Sequence, residues 1–234
     1  MATYSEHVTA SISDFTATPI SAAYLDKYIT MGTKEVISNV LKFNPAAGLL
    51  FAKESVEQTV NGYEVTSGIV YSVVREDGND NQWREAKQAD LSKQYLVTDP
   101  NSFFFASKYN PVFIRDNNKL SVFPVPSAQE EAYKVYEIKY PEFDNNGNTL
   151  KASTNIDDIG IENFPSSFHP HLVLHGVLKS LNRIYNVIIT EEEDIELSNS
   201  IANSIKNLKE DYVNMFVSKD VLAPQAQQPQ QRRG

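Results

Sequence analysis

The period at which apolar residues recur changes twice along the chain, and this change limits the fold more than any other feature. Between residues 18 and 44 apolar side chains recur every three or four positions, which is typical of an amphipathic helix. From about Leu49 to Tyr140, runs of β-branched and aromatic residues alternate with turn-forming segments, which indicates strands. Helical spacing then returns and continues to Phe216. The order predicts an α+β chain: a helical bundle with a central antiparallel β-rich insert.

The first helix is predicted between Thr18 and Asn44. Thr18 is a typical N-cap residue, and Pro19 would take the first helical position. Asn44 precedes Pro45, and a residue before proline avoids the α conformation, so the helix ends there. Gly32 lowers the helix propensity in the middle. The predicted apolar face comprises Ala22, Leu25, Tyr28, Ile29, Val36, Ile37, Val40 and Leu41.

Turn signals divide the middle region into strands. Asn61-Gly62 has the composition of a two-residue hairpin turn, and residues 75–82 predict a longer one. Asp116–Asn118 predicts a third turn, within a hairpin that spans residues 110–127. Alternation along this hairpin places apolar side chains on both faces, which predicts a sheet covered on both sides. On the first strand Val112 and Ile114 would share one face, and Phe113 and Arg115 the other. On the return strand Leu120 would share a face with Val122, and Ser121 with Phe123.

Two further helices are predicted after the insert, joined as an antiparallel hairpin. Thr190 would cap the second of them, with the acidic residues 191–194 in its first turn, where the helix dipole favours negative charge. The first apolar face comprises Leu174, Val177, Leu178, Leu181, Ile184, Tyr185 and Ile188. The second comprises Ile201, Ile205, Leu208, Tyr212 and Phe216.

Composition excludes several functional classes. The net charge of −9 disfavours a protein that grips DNA, because such proteins carry a basic face. The absence of cysteine excludes disulfides, thiolate metal sites and cysteine nucleophiles. No secretory signal pattern and no apolar run long enough for a membrane span is visible, so we expect a soluble protein made inside the cell.

Candidate chemical sites are weak. His171 and His175 are four residues apart and would share a helix face, as two metal ligands do, with Glu162 near in sequence. Leu172 stands where a helix-borne metalloprotease needs glutamate, so we favour the interpretation that His169, His171 and His175 are polar rim residues.

The loop at residues 143–149 resembles a calcium loop only superficially. Gly147 is in the wrong register for an EF-hand, which favours a plain turn. Nucleophile elbows, P-loops and dinucleotide-binding glycine motifs are all absent from the sequence. We therefore predict no catalytic residue, no metal and no cofactor.

Several motifs in the middle of the chain follow one another in a characteristic order. Asp99-Pro100-Asn101-Ser102 leads through Ala106 to Pro111-Val112, Phe123-Pro124-Val125-Pro126 ends the return strand, and Tyr140-Pro141 ends a further strand. The helix FHPHLVLHGVLKSLNRIYN follows. In this order the motifs resemble those of phage head–tail connector proteins, the adaptor or tail-tubular-A-like group. The resemblance covers roughly Ala22 to Phe216 and depends on the order of turn and packing residues, since no single motif is diagnostic. The chain departs from the shortest adaptors in the size of its insert.

The resemblance implies a non-enzymatic virion protein at the head–tail junction, made in the host cytoplasm. Such proteins form a ring, typically of twelve copies, below the portal of a tailed phage capsid. They extend the DNA channel and offer the tail a docking surface. The implied partners are further copies of the chain, the portal protein, other neck or tail proteins, and genomic DNA passing through without specific binding. No membrane is implied.

The resemblance also suggests a division of the chain and two sets of contact residues. The parts would be an N-terminal segment and helix (1–44), the β-rich insert (45–150), a helical hairpin packed on the first helix (151–217) and an extended arm (218–234). Contacts of the hairpin with a neighbouring subunit would come from Phe113, Arg115 and Phe123. Contacts of the arm with the portal or a neighbour would come from Pro224, Gln225, Pro229, Arg232 and Arg233.

Two other classes of function stay open at this point. A β-rich binding module of the tail, for fibre attachment or carbohydrate binding, would expose aromatic side chains near loop tips. Tyr63, Trp83 and Tyr95 are its candidates, and we expect them to be packed. An enzyme of the virion neck would need a convergent acid–base pair, and the sequence does not indicate one.

Overall fold

A computed structural model describes residues 2–16, 19–65, 68–79, 82–192 and 195–217. The chain is a mixed α+β protein, which confirms the predicted fold class. It divides into two compact units. The β unit is Gly48–Tyr140, and the helical unit combines Met1–Ala47 with the chain from Pro141 onward. The structure therefore divides the chain at Tyr140, and the loop at 143–149 belongs to the helical unit.

Among the described residues there are five α-helices, and eight strands form two sheets. The helices are α1 (Tyr4–Ile12), α2 (Ala22–Phe43), α3 (Gln94–Thr98), α4 (His169–Val187) and α5 (Ile195–Val217). The strands are β1 (Ala52–Glu54), β2 (Tyr63–Glu64), β3 (Gly68–Glu76), β4 (Trp83–Glu85), β5 (Lys87–Ala89), β6 (Val112–Asp116), β7 (Lys119–Phe123) and β8 (Tyr133–Lys139).

Helix α4 is the centre of the helical unit and contacts α1, α2 and α5. The ring of His171, near its start, lies 4.8 Å from that of Phe216, near the end of α5, so the two helices are antiparallel as predicted. A π-helical segment, Ile188–Glu192, continues α4. The Thr190 hydroxyl donates to the carbonyls of Asn186 and Val187. The prediction that Thr190 caps the last helix is therefore wrong, and residues 193–194 lie outside the described residues.

Helix α1 was not predicted, although the sequence carries a signal for it. Thr3 and Glu6 form a reciprocal capping box: the Thr3 hydroxyl accepts from the Glu6 N–H, and the Glu6 carboxylate accepts from the Thr3 N–H. Tyr4, Val8 and Ile12 recur every four residues and are buried. Because this apolar stripe has only three members, the helix is short and its periodicity is easily missed.

Helix α2 begins three residues later than predicted. Ser21 is its N-cap, so Pro19 is not the first helical residue, and Thr18 lies outside the described part of the chain. Its end at Phe43 agrees with the predicted stop at Asn44. The predicted apolar face is largely confirmed, since the buried side chains are Leu25, Ile29, Thr33, Val36, Ile37 and Val40.

The β unit contains two four-stranded sheets. One has the order β1-β8-β3-β4 and is antiparallel throughout. The other has the order β2-β7-β6-β5, and its edge strand β5 runs parallel to β6, which differs from the predicted all-antiparallel insert. Gly62 has a positive φ, but β2 pairs with the distant β7, so Asn61-Gly62 is not a hairpin turn. Instead the Asn61 side chain exchanges two hydrogen bonds with the backbone of Val122.

The hairpin β6–β7 is covered on both faces, as the alternation predicted. Asp116 pairs with Lys119 across a two-residue turn, which confirms the turn at Asp116–Asn118. One face packs on the other sheet, through Val65, Val73, Phe113, Leu120, Val122, Tyr133 and Val135. The opposite face packs on the connection between β5 and β6, through Val97, Ala106, Ile114 and Phe123.

Candidate protein interaction surface

The connection between β5 and β6 is held in one shape by short-range hydrogen bonds. A 3₁₀ turn at Leu91–Lys93 leads into α3. After α3 the Asp99 carboxylate accepts the N–H of Asn101, and the Ser102 hydroxyl oxygen accepts the N–H of Phe104. These are Asx and Ser turns, which fix a loop locally. The Asp-Pro-x-Ser motif of the sequence is therefore a turn motif.

Two small apolar residues anchor this connection to the hairpin. Val97 and Ala106 are buried against Ile114 and Phe123, and the Ala106 N–H donates to the Val97 carbonyl at 2.9 Å. The inner side of the connection is thus part of the core. Its outer side cannot reach that core and faces solvent.

The outer side of the connection is apolar. Phe103 is fully exposed, and Tyr95 is 86% exposed. We define the aromatic surface as the exposed apolar residues of this connection, which are Leu91, Tyr95, Leu96, Phe103, Phe104, Phe105 and Tyr109. A concentrated patch of this kind marks an interaction site, because single exposed apolar residues are common but clusters of aromatic ones are not.

Basic side chains border the aromatic surface. Lys93 Nζ lies 4.4 Å from the centre of the Phe104 ring. The Arg84 guanidinium and Lys108 Nζ lie 5.3 Å and 5.0 Å from the centre of the Tyr109 ring. Arg84 is also paired with the Asp77 carboxylate at 2.9 Å, so Lys93 and Lys108 supply the positive charge at the rim of the patch, although the whole chain carries −9. The surface is therefore suited to a partner that is apolar at its centre and acidic at its edge.

A groove of about 730 Å³ runs beside the exposed phenylalanines. Its lining includes Lys87 and Ala89 of β5, the edge strand of its sheet, and the exposed Phe103 and Phe105. Asp90, directly after β5, also lines it. The surface thus combines projecting aromatic rings with an adjoining cleft.

The three hairpin residues that were predicted to contact a neighbour differ in burial. Phe113 and Phe123 are buried within the chain, on opposite faces of the hairpin. Arg115 is exposed, and its Nε donates to the Asn117 carbonyl. Of the three residues only Arg115 is exposed to solvent, whereas the two phenylalanines belong to the core. The arm residues Pro224, Gln225, Pro229, Arg232 and Arg233 lie outside the described residues.

The candidates for a binding module are only partly packed. Tyr63 is half-buried and donates to the Glu137 carboxylate, and Trp83 is half-buried under Lys134. Tyr95 is exposed, so the expectation that all three are packed is wrong for this residue. The sequence reasoning also missed Phe103–Phe105. Three consecutive phenylalanines after a turn motif leave at least one ring without a place in the sheet, and this was the available signal.

The three histidines of α4 are buried, not at a polar rim as expected. His175 Nε2 lies 3.2 Å from the Glu35 carboxylate, without hydrogen-bond geometry. His171 packs among the rings of Phe168 and Phe216. Burial lowers the pKa of His169, His171 and His175 below that of a free imidazole, so these side chains are neutral core residues at neutral pH.

Within the described residues no group of three or more His, Asp or Glu side chains is arranged to hold a metal ion. In the loop at 143–149, Asp144 accepts the N–H groups of Asn146 and Asn148, as the carboxylate of a turn does. The buried Arg75 is used structurally, since its Nε donates to the Pro124 carbonyl at 2.9 Å. The polar groups we find therefore stabilise the fold.

Comparison with protein-family models and with curated proteins gives no match to this chain. Among the described helices, none is both long and apolar enough to cross a bilayer.

Proposed function

We propose that the chain is a non-enzymatic structural protein of a tailed-phage virion. It forms a head–tail connector ring below the portal, extends the DNA channel and docks the tail. The ring holds about a dozen copies, as in the proteins that the sequence resembles. Its other partners are the portal protein and further neck or tail proteins.

The observation that carries this proposal is the aromatic surface, held rigidly by Val97 and Ala106 on a covered hairpin. A ring subunit needs a lasting apolar contact with each neighbour, and aromatic residues at the centre of an interface supply most of its binding free energy. The motif Asp99-Pro100-Asn101-Ser102, on which part of the family resemblance rests, forms the turn that presents Phe103 to solvent.

The charge of the chain is compatible with a DNA channel. A net charge of −9 per subunit gives a ring a strongly negative field. Carboxylates that face the lumen would repel phosphates, so DNA would pass without being held. The basic rim of the aromatic surface, by contrast, is suited to a contact with protein.

The C-terminal arm is proposed to attach the ring to the portal. Arg232 and Arg233 would pair with carboxylates of a portal subunit, since guanidinium–carboxylate pairs are strong and directional. Removal of residues 223–234 is expected to weaken attachment to the portal and to leave the fold intact. Normal assembly of the truncated chain on the portal would contradict this role of the arm.

One observation favours a second function. Phe103 and Phe105 are exposed and line the groove, an arrangement that also suits the binding of sugar rings. The chain would then be a β-rich binding module of the tail, for fibre attachment or carbohydrate binding.

Counting the copies of this chain in purified virions tests the two functions against each other. Quantitative mass spectrometry, calibrated on the portal protein, measures that ratio. A ratio near one copy per portal subunit supports the connector ring. A copy number of only a few per virion, together with binding to glycans, supports the tail module and contradicts the ring.

A further inference from the structure

We infer that the ring is built by a single repeated contact, in which the aromatic surface of one copy inserts into an apolar groove on the helical unit of the next copy. This inference rests on the proposed function and names the interface that the ring would use. The β unit would supply the projecting aromatic surface, and the helical unit would supply the groove that receives it.

The receiving groove lies on the helical unit and has a volume of about 590 Å³. It is formed by α1, the first half of α4, one residue of α5 and the segment before α4. The apolar side chains that line it are Ile156, Pro170, Val173, Leu174, Val177 and Leu208. Pro170, Val173, Leu174 and Leu208 keep part of their surface open to solvent. A groove of this composition gains free energy when an aromatic ring displaces its water.

The lining of the groove includes a buried polar side chain with an unpaired atom. His169 lines the groove and is 8% exposed, and its Nε2 has no hydrogen-bond partner within the described residues. An unsatisfied buried nitrogen is costly, and a polar group brought by a partner would satisfy it. The projecting loop carries such groups beside Phe103, in the amide of Asn101 and the hydroxyl of Ser102.

The charges at the edges of the two surfaces are complementary. Lys87 and Lys93 line the cleft beside the aromatic surface together with Asp90, so the lining carries a net positive charge. Asp157 lines the receiving groove, where its carboxylate accepts from His7 Nε2 at 3.0 Å, and Asp158 beside it is exposed. Opposite charges around an apolar centre favour association in one orientation and oppose the pairing of two like surfaces. A second copy of this chain therefore offers both an apolar groove and the opposite charge to the aromatic surface.

The geometry also selects the type of assembly. A contact between two different patches of the same chain is heterologous, and its repetition closes into a ring or grows into a filament. A contact of the aromatic surface with itself would instead give a two-fold dimer and bring Lys93 toward Lys93. The unlike surfaces of this chain are those that a ring needs.

The absence of cysteine allows a direct test in the full-length protein. Asn101→Cys places a thiol beside Phe103, and Ser166→Cys places one at the rim of the receiving groove; both positions are exposed. The two variants are mixed, with and without the portal protein, and treated with a short bis-maleimide. We expect a covalent dimer in the mixture and at most a tenth of it in either variant alone. Adding Phe103→Ser to the Asn101→Cys chain should reduce the product at least tenfold. Adding Val56→Ser, which removes an exposed apolar side chain elsewhere in the β unit, should leave it unchanged.

Each other outcome overturns the inference. Rings that form without the cross-link would refute this interface and leave the connector function standing. A cross-link between two Asn101→Cys copies would show that the aromatic surfaces meet each other. Loss of portal binding by Phe103→Ser, without any cross-link between copies, would identify the portal as the occupant of the surface. A chain that stays monomeric with the portal present would contradict both the interface and the proposed ring.

Discussion

Gly32 of α2 lies against the ring of His175 of α4. A Cβ added at position 32 would lie 2.8 Å from His175 Nδ1 and 2.6 Å from Leu172 Cδ1. The two helices approach this closely only because the residue between them has no side chain. The glycine that weakens the predicted helix is thus the point at which that helix packs.

Gly32→Ala is expected to lower the free energy of unfolding by about 1–2 kcal/mol. Overpacking costs about 1–3 kcal/mol, and the gain of about 1 kcal/mol in helix propensity offsets part of it. Urea unfolding followed by circular dichroism measures the change. Ser38→Ala, at an exposed position of the same helix, is the matched control and should shift stability by less than about 0.5 kcal/mol. An alanine at position 32 that stabilised the protein would refute the close packing.

The buried histidines predict a loss of stability in mild acid. Burial lowers the pKa of His171 below its ordinary value of 6.5, so the unfolded chain binds more protons than the folded chain as pH falls below that value. The free energy of unfolding should be unaffected by this group above about pH 7 and decline between about pH 6.5 and 5. The carboxyl groups whose pKa values the fold lowers, such as those of Asp144 and Asp157, act at lower pH because their ordinary pKa is 3.8.

His171→Phe should reduce this decline, because the new ring fits among Phe168 and Phe216 and does not titrate. Ser38→Ala, at an exposed position of α2, changes no titrating group and should keep it. The measurement is urea unfolding of each variant at pH 7.0, 6.0 and 5.0. Equal declines in the unaltered chain and in His171→Phe would show that His171 is not the group that titrates.

Loss of the buried Arg75 guanidinium is expected to lower the free energy of unfolding strongly. Its guanidinium donates to the carbonyls of Pro124 and Glu76 and lies 3.4 Å from the Glu131 carboxylate. Arg75→Met would leave those acceptors buried without a donor, so we expect a loss of about 2–4 kcal/mol. Arg115→Met, on the exposed end of β6, is the control and should cost less than about 0.5 kcal/mol. Similar melting temperatures for the two variants would contradict this role.

Sequence reasoning predicted elements whose periodicity is long and regular. The helices around Leu25 and Leu181 and the hairpin at Asp116–Asn118 follow from spacing and turn chemistry alone. Helix α1 could have been found from its capping box at Thr3 and Glu6. The pairing of β2 with the distant β7 could not, because Asn61-Gly62 has the local chemistry of a hairpin turn and only tertiary contacts decide its partner.

The candidate site was less predictable than the fold, for a physical reason. Alternation shows which face of a strand is apolar, but not whether the chain itself or a partner covers it. Phe113 and Phe123 were therefore predicted to contact a neighbouring subunit, although their own chain buries them. Phe103 lies in a loop whose sequence has no periodicity. Its exposure depends on the direction that the preceding turn gives to this loop.

Substitution of Phe103 is expected to affect assembly and to leave stability nearly unchanged. Because its side chain is fully exposed, Phe103→Ser should change the free energy of unfolding by less than about 0.5 kcal/mol while removing association. Val97→Ala, under the same connection, should cost about 1–3 kcal/mol, because it removes buried methyl groups. Thermal unfolding and analytical ultracentrifugation of both variants provide the two measurements. A large loss of stability in Phe103→Ser would place that ring in the core and remove the interaction surface.

Electron microscopy of this chain mixed with the portal protein of the same phage shows whether the proposed ring forms. We expect an added ring on one face of the portal, of about a dozen subunits, that forms with Val56→Ser and is lost with Phe103→Ser. A bare portal at saturating concentrations of the unaltered chain would contradict it.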